Sequence, residues 1–156
     1  MSFSISSAKE LLKKVSDRYN QPVITPLVFS GHDRGKLGIS GFSTPLEIPK
    51  RWGGEKIYHN NELYCAKLLT IEPNSCTSMH FHLEKHETMI NVGEGILYID
   101  YIVDKEVQTA EVKQWESFII APGLPHKLRA EEKIVHLIEA STISHDDDSI
   151  RLPEVF

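Results

Sequence analysis

The sequence predicts an all-β fold, a sandwich or barrel of antiparallel strands preceded by one helix. Short apolar runs recur along most of the chain, and Gly, Pro, Asn and Asp separate them. Only one stretch, near the start, has helical spacing.

That helix comes first. Ser6 or Ser7 can cap it, and Leu11, Leu12 and Val15 form a narrow apolar stripe among Lys9, Lys13, Lys14 and Asp17. Asn20 and Pro22 end it, because the residue before a proline is pushed out of the helical region. Strand-like runs follow at 23–29, 37–42, 56–59, 63–71, 77–82, 88–92, 96–103, 106–112, 117–121, 126–130 and 134–140. In 96–102 apolar residues fall on almost both faces, which predicts a strand covered on both sides. In 63–69 a single Lys67 interrupts an apolar strand. It either sits at an edge and reaches for water or lines a polar pocket inside the barrel, and the residues leave both open. His145, Asp146, Asp147 and Asp148 read as a charged turn before a short C-terminal end.

A chain of 156 residues with 40% hydrophobic and 25% charged side chains builds one domain with a real core and no staples. The net charge of -5, without a basic run, argues against nucleic acid as the main partner. No window approaches the ~20 apolar residues of a membrane span. The first residues lack the basic and apolar regions of a signal peptide. Cys65 and Cys76 have neither a metal spacing nor a disulfide framework, and both read as buried free thiols. A reducing, cytoplasmic setting is therefore expected.

The chemistry concentrates in two places. In His80-Phe81-His82 the imidazoles alternate, so on a strand both rings face one side. Glu87 follows after a short gap, with Gly93 and Gly95 marking a turn behind it. His126 then opens a strand directly after Pro122-Gly123-Leu124-Pro125. Neutral imidazoles and a carboxylate suit a divalent transition metal, Zn, Fe, Mn, Co or Ni. A closed structural site would be richer in Cys, whereas a barrel mouth is a natural ligand cavity. Of the other histidines, His32, His59, His136 and His145 read as structural or solvated.

This H-x-H, Glu, Pro-Gly-x-x-His pattern resembles the two motifs of the cupins. The stretch from Lys50 to Arg151 more narrowly resembles the type II phosphomannose-isomerase-like cupins. Arg51-Trp52-Gly53-Gly54-Glu55, Lys67, Thr77 to His82, Lys85-His86-Glu87-Thr88, Pro122 to His126, and Glu139-Ala140-Ser141-Thr142 leading to Asp146 to Leu152 carry it. The resemblance implies a double-stranded β-helix, or jelly-roll barrel, over residues 46–156, with 1–45 as a helix and strand extension. It implies His80, His82, Glu87 and His126 as metal ligands, and it favours the pocket for Lys67. Two departures stand out. The family has about six residues between the ligand Glu and the following Gly, whereas five follow Glu87 and six follow His86 before Gly93. Glu87 is preferred, with His86 as the alternative ligand. Trp115 occupies a place where cupins usually have Gly, and it reads as a partly buried packing residue.

The implied function is a metal-dependent aldose–ketose isomerase of a sugar or sugar phosphate, similar to mannose-6-phosphate isomerase. Such chemistry needs a base and a charge stabiliser beside the metal. Lys85 is the candidate donor to the developing negative oxygen, against an exposed turn lysine. Glu139 is the candidate acid/base, against an outward, solvated glutamate. Lys67, Tyr98 and Glu84 are further polar residues on offer, and Lys127, Arg129 or Arg151 could meet a phosphate. The alternatives are a non-catalytic or regulatory sugar-binding cupin and a metal-dependent cupin oxygenase. The expected partners are a small carbohydrate and, through the exposed edges of the barrel, a second copy in a homodimer.

Overall fold

The computed structural model describes residues 27–30, 41–142 and 144–153. The helix expected after Ser6 or Ser7 lies outside the described residues. Two six-stranded antiparallel sheets face each other, as the alternating pattern demands. The strands of one sheet are β3 (Leu46–Lys50), β4 (Gly53–Asn60), β5 (Cys65–Ile71), β8 (Glu87–Asn91), β11 (Ser117–Ile120) and β13 (Val135–Ser141), in the order β11-β8-β13-β5-β4-β3. The other sheet is built from β6 (Ser75–Cys76), β7 (His80–His82), β9 (Leu97–Val103), β10 (Glu106–Val112), β12 (His126–Ala130) and β14 (Ser149–Arg151). Its order is β10-β9-β12-β7-β14, with β6 also on β12. A separate parallel pair joins β1 (Leu27–Ser30) to β2 (Gly41–Thr44). Among the described residues no helix is long and apolar enough to cross a membrane.

Leu69, Ile71, Met89, Leu97, Ile99, Val112, Ile120, Leu128, Val135 and Leu137 fill the space between the sheets. They come from alternate positions of their strands, as the two-residue period of a β-strand requires. Close strand packing also explains a glycine. Gly53 has φ +138°, and a Cβ there would lie 2.0 Å from the Thr70 carbonyl oxygen. No L side chain fits that approach.

Several elements differ from the sequence reading. The run 63–71 becomes strand only from Cys65. Asn61 Oδ1 accepts the N–H groups of Leu63 (2.8 Å) and Tyr64 (2.9 Å), and this local side-chain bonding turns the chain despite its apolar character. β3 is not among the runs read from sequence; it contains Pro49, which it tolerates as an edge strand. β14 was missed because the segment was read as a charged turn and a short end.

The outer face of β9 is covered, but not by an apolar layer. Arg129 Nε lies 3.2 Å and Lys127 Nζ 3.4 Å from Asp100 Oδ2, and Arg129 also stacks over Tyr98 at 4.7 Å. The ion pair wins over burial and keeps the Asp100 carboxyl below its ordinary pKa. Cys65 is buried as expected, but Cys76 is exposed, because β6 lies at the margin of its sheet. Trp115 is 73% exposed and packs against little; it holds φ +67° at the turn into β11.

Candidate metal centre and its cavity

β7 and β12 pair so that His80 stands opposite His126, which places two imidazoles side by side. Alternation along β7 brings His82 to the same face. The turn before His126 is built by its residues. The Leu124 N–H donates to the Ala121 carbonyl at 3.2 Å, and Gly123 takes φ +82° after Pro122. Proline followed by a positive-φ glycine is the chemistry of a type II turn. The Gly123 N–H also donates to the His82 carbonyl at 2.6 Å, tying the two halves of the site together.

The ligand-capable nitrogens of His80, His82 and His126 lie within 4.8 Å of one another. Glu87, at the start of β8, reaches the same point. Its Oε1 lies 3.7 Å from His82 Nε2, and its Oε2 lies 3.4 Å from His126 Nε2. Two ligands about 2.1 Å from one ion, at right or tetrahedral angles, stand about 3–3.4 Å apart, and the Glu87 oxygens lie at or within a few tenths of an ångström of that spacing from His126 and His82. His86 is exposed, and its N–H donates to Thr142 Oγ1, so the structure brings Glu87 and not His86 to the cluster.

Two further observations fit a metal. Glu87 Oε2 and His126 Nε2 are buried without a hydrogen-bond partner, a costly state that a cation would relieve. Each imidazole also donates its Nδ1 proton to a backbone carbonyl: His80 to Ser78 (2.8 Å), His82 to Asp148 (3.0 Å) and His126 to Leu124 (3.0 Å). A carbonyl can only accept, so Nδ1 carries the proton and Nε2 presents its lone pair. Burial lowers the pKa of all three rings, His80 to about 4, with His126 adding to that shift. Neutral imidazole is the form that binds metal.

A buried ionic chain leads away from this cluster. Lys85 Nζ contacts Glu87 Oε1 at 2.6 Å and Glu139 Oε1 at 2.5 Å, and all three side chains are almost fully buried. Lys67 Nζ lies 3.7 Å from both Glu139 Oε1 and Glu55 Oε2 and donates to Ser144 Oγ at 3.2 Å. Lys67 is thus a pocket residue, beside a bulge in β4 between Ile57 and His59. Burial opposes the Lys85 charge, but Glu139 and Glu87 outweigh it and raise its pKa. Burial likewise opposes the Glu139 charge, and Lys67 and Lys85 outweigh it and lower its pKa. Ser141 donates to Glu139 Oε1 as well, at 3.2 Å.

These groups open into a cavity of about 630 Å³ lined also by Trp52, Ile48, Ile57, His145 and Arg151. Of the candidates read from sequence, His80, His82, Glu87, His126, Lys85, Glu139, Lys67 and Arg151 converge here. Tyr98, Lys127 and Arg129 do not. They lie on the outer face of β9 and β12, where Asp100 holds both cations. Glu84 is exposed on the loop. The sequence reading missed Asp148, whose carboxylate accepts from the N–H groups of Leu83, Glu84 and Lys85. It lies in the stretch Asp146 to Leu152 that carries the resemblance, but three successive aspartates read there only as a charged turn.

Among curated proteins none matches this chain in sequence. Solved structures do match in fold. The capsular polysaccharide assembling protein CapF from Staphylococcus aureus superposes with a TM-score of 0.62 at 17% identity, over 69% of this chain and 34% of that one. Bacillus subtilis oxalate decarboxylase, a protein with Mn(II) centres, gives 0.59 at 16%, over 68% and 29%. The oxalate decarboxylase–formate complex of Lactobacillus farciminis gives 0.59 at 14%, over 69% and 33%. The chain therefore spans about a third of the length of these structures, with which it shares the cupin fold. More specific is a match by family, which covers β4 to β12 and so takes in every ligand-capable residue of the cluster. Residues 48–134, more than half of the chain, match the D-lyxose isomerase family, and the chain belongs to that family.

Proposed function

We propose that this protein is a metal-dependent aldose–ketose isomerase of sugars, with His80, His82, Glu87 and His126 holding a divalent transition ion. The observation that carries this reading is Lys85 bridging Glu87 and Glu139 inside a sugar-sized cavity, in a chain of a sugar-isomerase family. A bound divalent ion would hold two adjacent sugar oxygens and polarise the carbonyl.

The chain's own residues then supply the proton chemistry. Glu139 is ionised at neutral pH, because Lys67 and Lys85 hold its pKa down, so it is in the form a base requires. Its role is to carry a proton between C1 and C2 through an enediol. Lys85 stays protonated, held so by Glu139 and Glu87, and donates to the oxygen on which negative charge develops. Trp52 and Ile57 give this region apolar walls. Arg151, on β14 opposite His80, is a cavity-lining cation suited to an anionic substituent, and on it rests the finer reading of a sugar phosphate such as mannose 6-phosphate. The homodimer and the cytoplasmic setting expected above belong to this reading; light scattering and fractionation test them.

One observation favours the second reading, a sugar-binding protein without turnover. The same two lysines that ionise Glu139 also make it a weak base. The deciding experiment incubates metal-loaded protein with D-lyxose, D-mannose and mannose 6-phosphate in D2O and follows the carbon-bound protons by NMR. Deuterium entering at C1 or C2 is the expected result. Saturable sugar binding without exchange establishes the second reading instead.

A further inference from the structure

We propose that Asp148 is a positioning residue of the metal centre, acting as the bound anion of a backbone nest formed by the loop that carries the ligands. The loop between β7 and β8 turns three successive N–H groups towards one carboxylate. Leu83 N donates to Asp148 Oδ1 at 2.8 Å, Glu84 N to Oδ1 at 3.2 Å and Oδ2 at 3.3 Å, and Lys85 N to Oδ2 at 3.0 Å. Consecutive amides converging in this way make an anion site, and bonds to a charged acceptor are the stronger kind. The backbone carbonyl of the same residue accepts the Nδ1 proton of His82.

Asp148 therefore fixes two things at once. It sets the ring orientation of His82, and it fixes the backbone of Lys85, two residues before Glu87. The segment around it is itself held on both sides. Ser144 exchanges hydrogen bonds with the Asn60 side chain, at 2.8 and 3.0 Å. Beyond Asp148, β14 pairs with β7, and the Leu152 N–H donates to the Met79 carbonyl at 3.0 Å. The anion is thus presented from a fixed frame to the loop.

Leu83 and Glu84 are exposed, so water can satisfy two of the three N–H groups when the carboxylate is removed, and the third belongs to buried Lys85. What is lost is the arrangement of the ligands. The effect falls on metal affinity, at the scale of about 10–100-fold that such supporting contacts carry, while the fold of the metal-free protein is kept. The inference rests on the proposed metal centre and is independent of the reaction.

The test uses Mn2+ alone, titrated calorimetrically into metal-free full-length protein. Wild type binds; Asp148→Gly loses about 10–100-fold in affinity, with its metal-free Tm within a few degrees of wild type. Asp148→Asn, which keeps an acceptor oxygen but not the charge, falls between them and covers the case in which the glycine variant does not fold. Sodium formate then restores affinity to Asp148→Gly by filling the nest, whereas sodium chloride at equal ionic strength does not, and formate leaves wild type unimproved. Wild-type affinity in both variants, or a loss that formate leaves unchanged, overturns the proposal. Absence of Mn2+ binding by wild type overturns the metal centre itself.

Discussion

The two ends of the barrel interior are built from the same strands but from opposite chemistries. The inward positions of β12 run His126, Leu128, Ala130; those of β13 run, in reverse, Glu139, Leu137, Val135. β5 gives Lys67, then Leu69 and Ile71, and β8 gives Glu87 and then Met89. At one end each of these four strands turns an ionisable side chain inward. Two residues further along each of these strands the inward side chain is apolar, and Leu69, Met89 and Leu128 form the apolar part of the same cavity's wall. Because alternation fixes which residues face inward, a step of two along the strand exchanges a reaction site for a core. The apolar end supplies stability through burial. The polar end spends some of it, since paired charges out of water often contribute less than an apolar core of the same size.

The largest effect that would break this division lies at the polar end. Glu139→Gln is expected to reduce turnover by about 10²–10⁴-fold, the usual cost of one acid/base group, with bound metal retained. Lys85→Ala is expected to reduce turnover as well. Metal content measured beside activity checks both. Loss of metal together with activity would mean that these residues build the site instead of running the reaction. His126→Ala follows, with metal affinity falling by about 100-fold or more, beyond what supporting contacts alone cost. Full metal occupancy in that variant would remove His126 from the ligand set.

The apolar end answers differently. Leu137, two residues from Glu139 and fully buried, should cost about 2–5 kcal/mol of stability as Leu137→Ala. Its metal affinity should stay at the wild-type value. Denaturant unfolding and a metal titration on the same preparation separate the two; a joint loss would show that the ends are not independent. Acid acts on the polar end alone. His80 binds its proton more weakly when folded, its pKa about 4 against an ordinary 6.5. The contribution of its neutral form is therefore complete above about pH 6.5 and is lost as pH falls towards 4. For His80 the loss is of order 3 kcal/mol at about 1.4 kcal/mol per unit, with His82 and His126 shifted in the same sense. The metal-free protein should lose stability across that window, and an unfolding series at fixed ionic strength reads it.

The ligand-bearing part of this plan was legible because it depends on local pattern. His80 and His82 alternate on one strand, and Pro122-Gly123 announces the turn that presents His126. Glu139 and Lys67 were legible only as charged interruptions of apolar strands, since sequence alone does not say whether such a residue faces a cavity or water. Register decides it: β13 and β5 set Glu139 directly opposite Lys67. Tyr98, Lys127 and Arg129 were misplaced for the converse reason. They look like site residues until pairing shows that they share the outer face with Asp100. Asp148 lies in a stretch the resemblance singled out, but its role was illegible because its partners are three backbone N–H groups more than sixty residues away, and backbone donors leave no mark in a sequence.

The smallest effect sharpens the comparison from outside both ends. Trp115 holds φ +67° while its side chain is 73% exposed, so it occupies a left-handed position without burying its ring. Its N–H donates to the Asn91 carbonyl at 2.7 Å, and the Glu116 N–H donates to the Lys113 carbonyl at 2.9 Å, so the turn depends on backbone bonds that any residue can make. A left-handed conformation costs an L-residue with a bulky side chain about 1–2 kcal/mol, and glycine avoids that cost while losing about 0.5–1 kcal/mol more in chain entropy. Trp115→Gly should therefore raise stability slightly, by at most about 1 kcal/mol, with metal affinity and turnover at wild-type values. The backbone groups of Trp115 and Glu116 bond to Asn91, at the end of β8 four residues from Glu87. A clear loss of stability would mean that the exposed ring has a contact the turn needs. A change in metal affinity would mean that the apolar end transmits to the polar one.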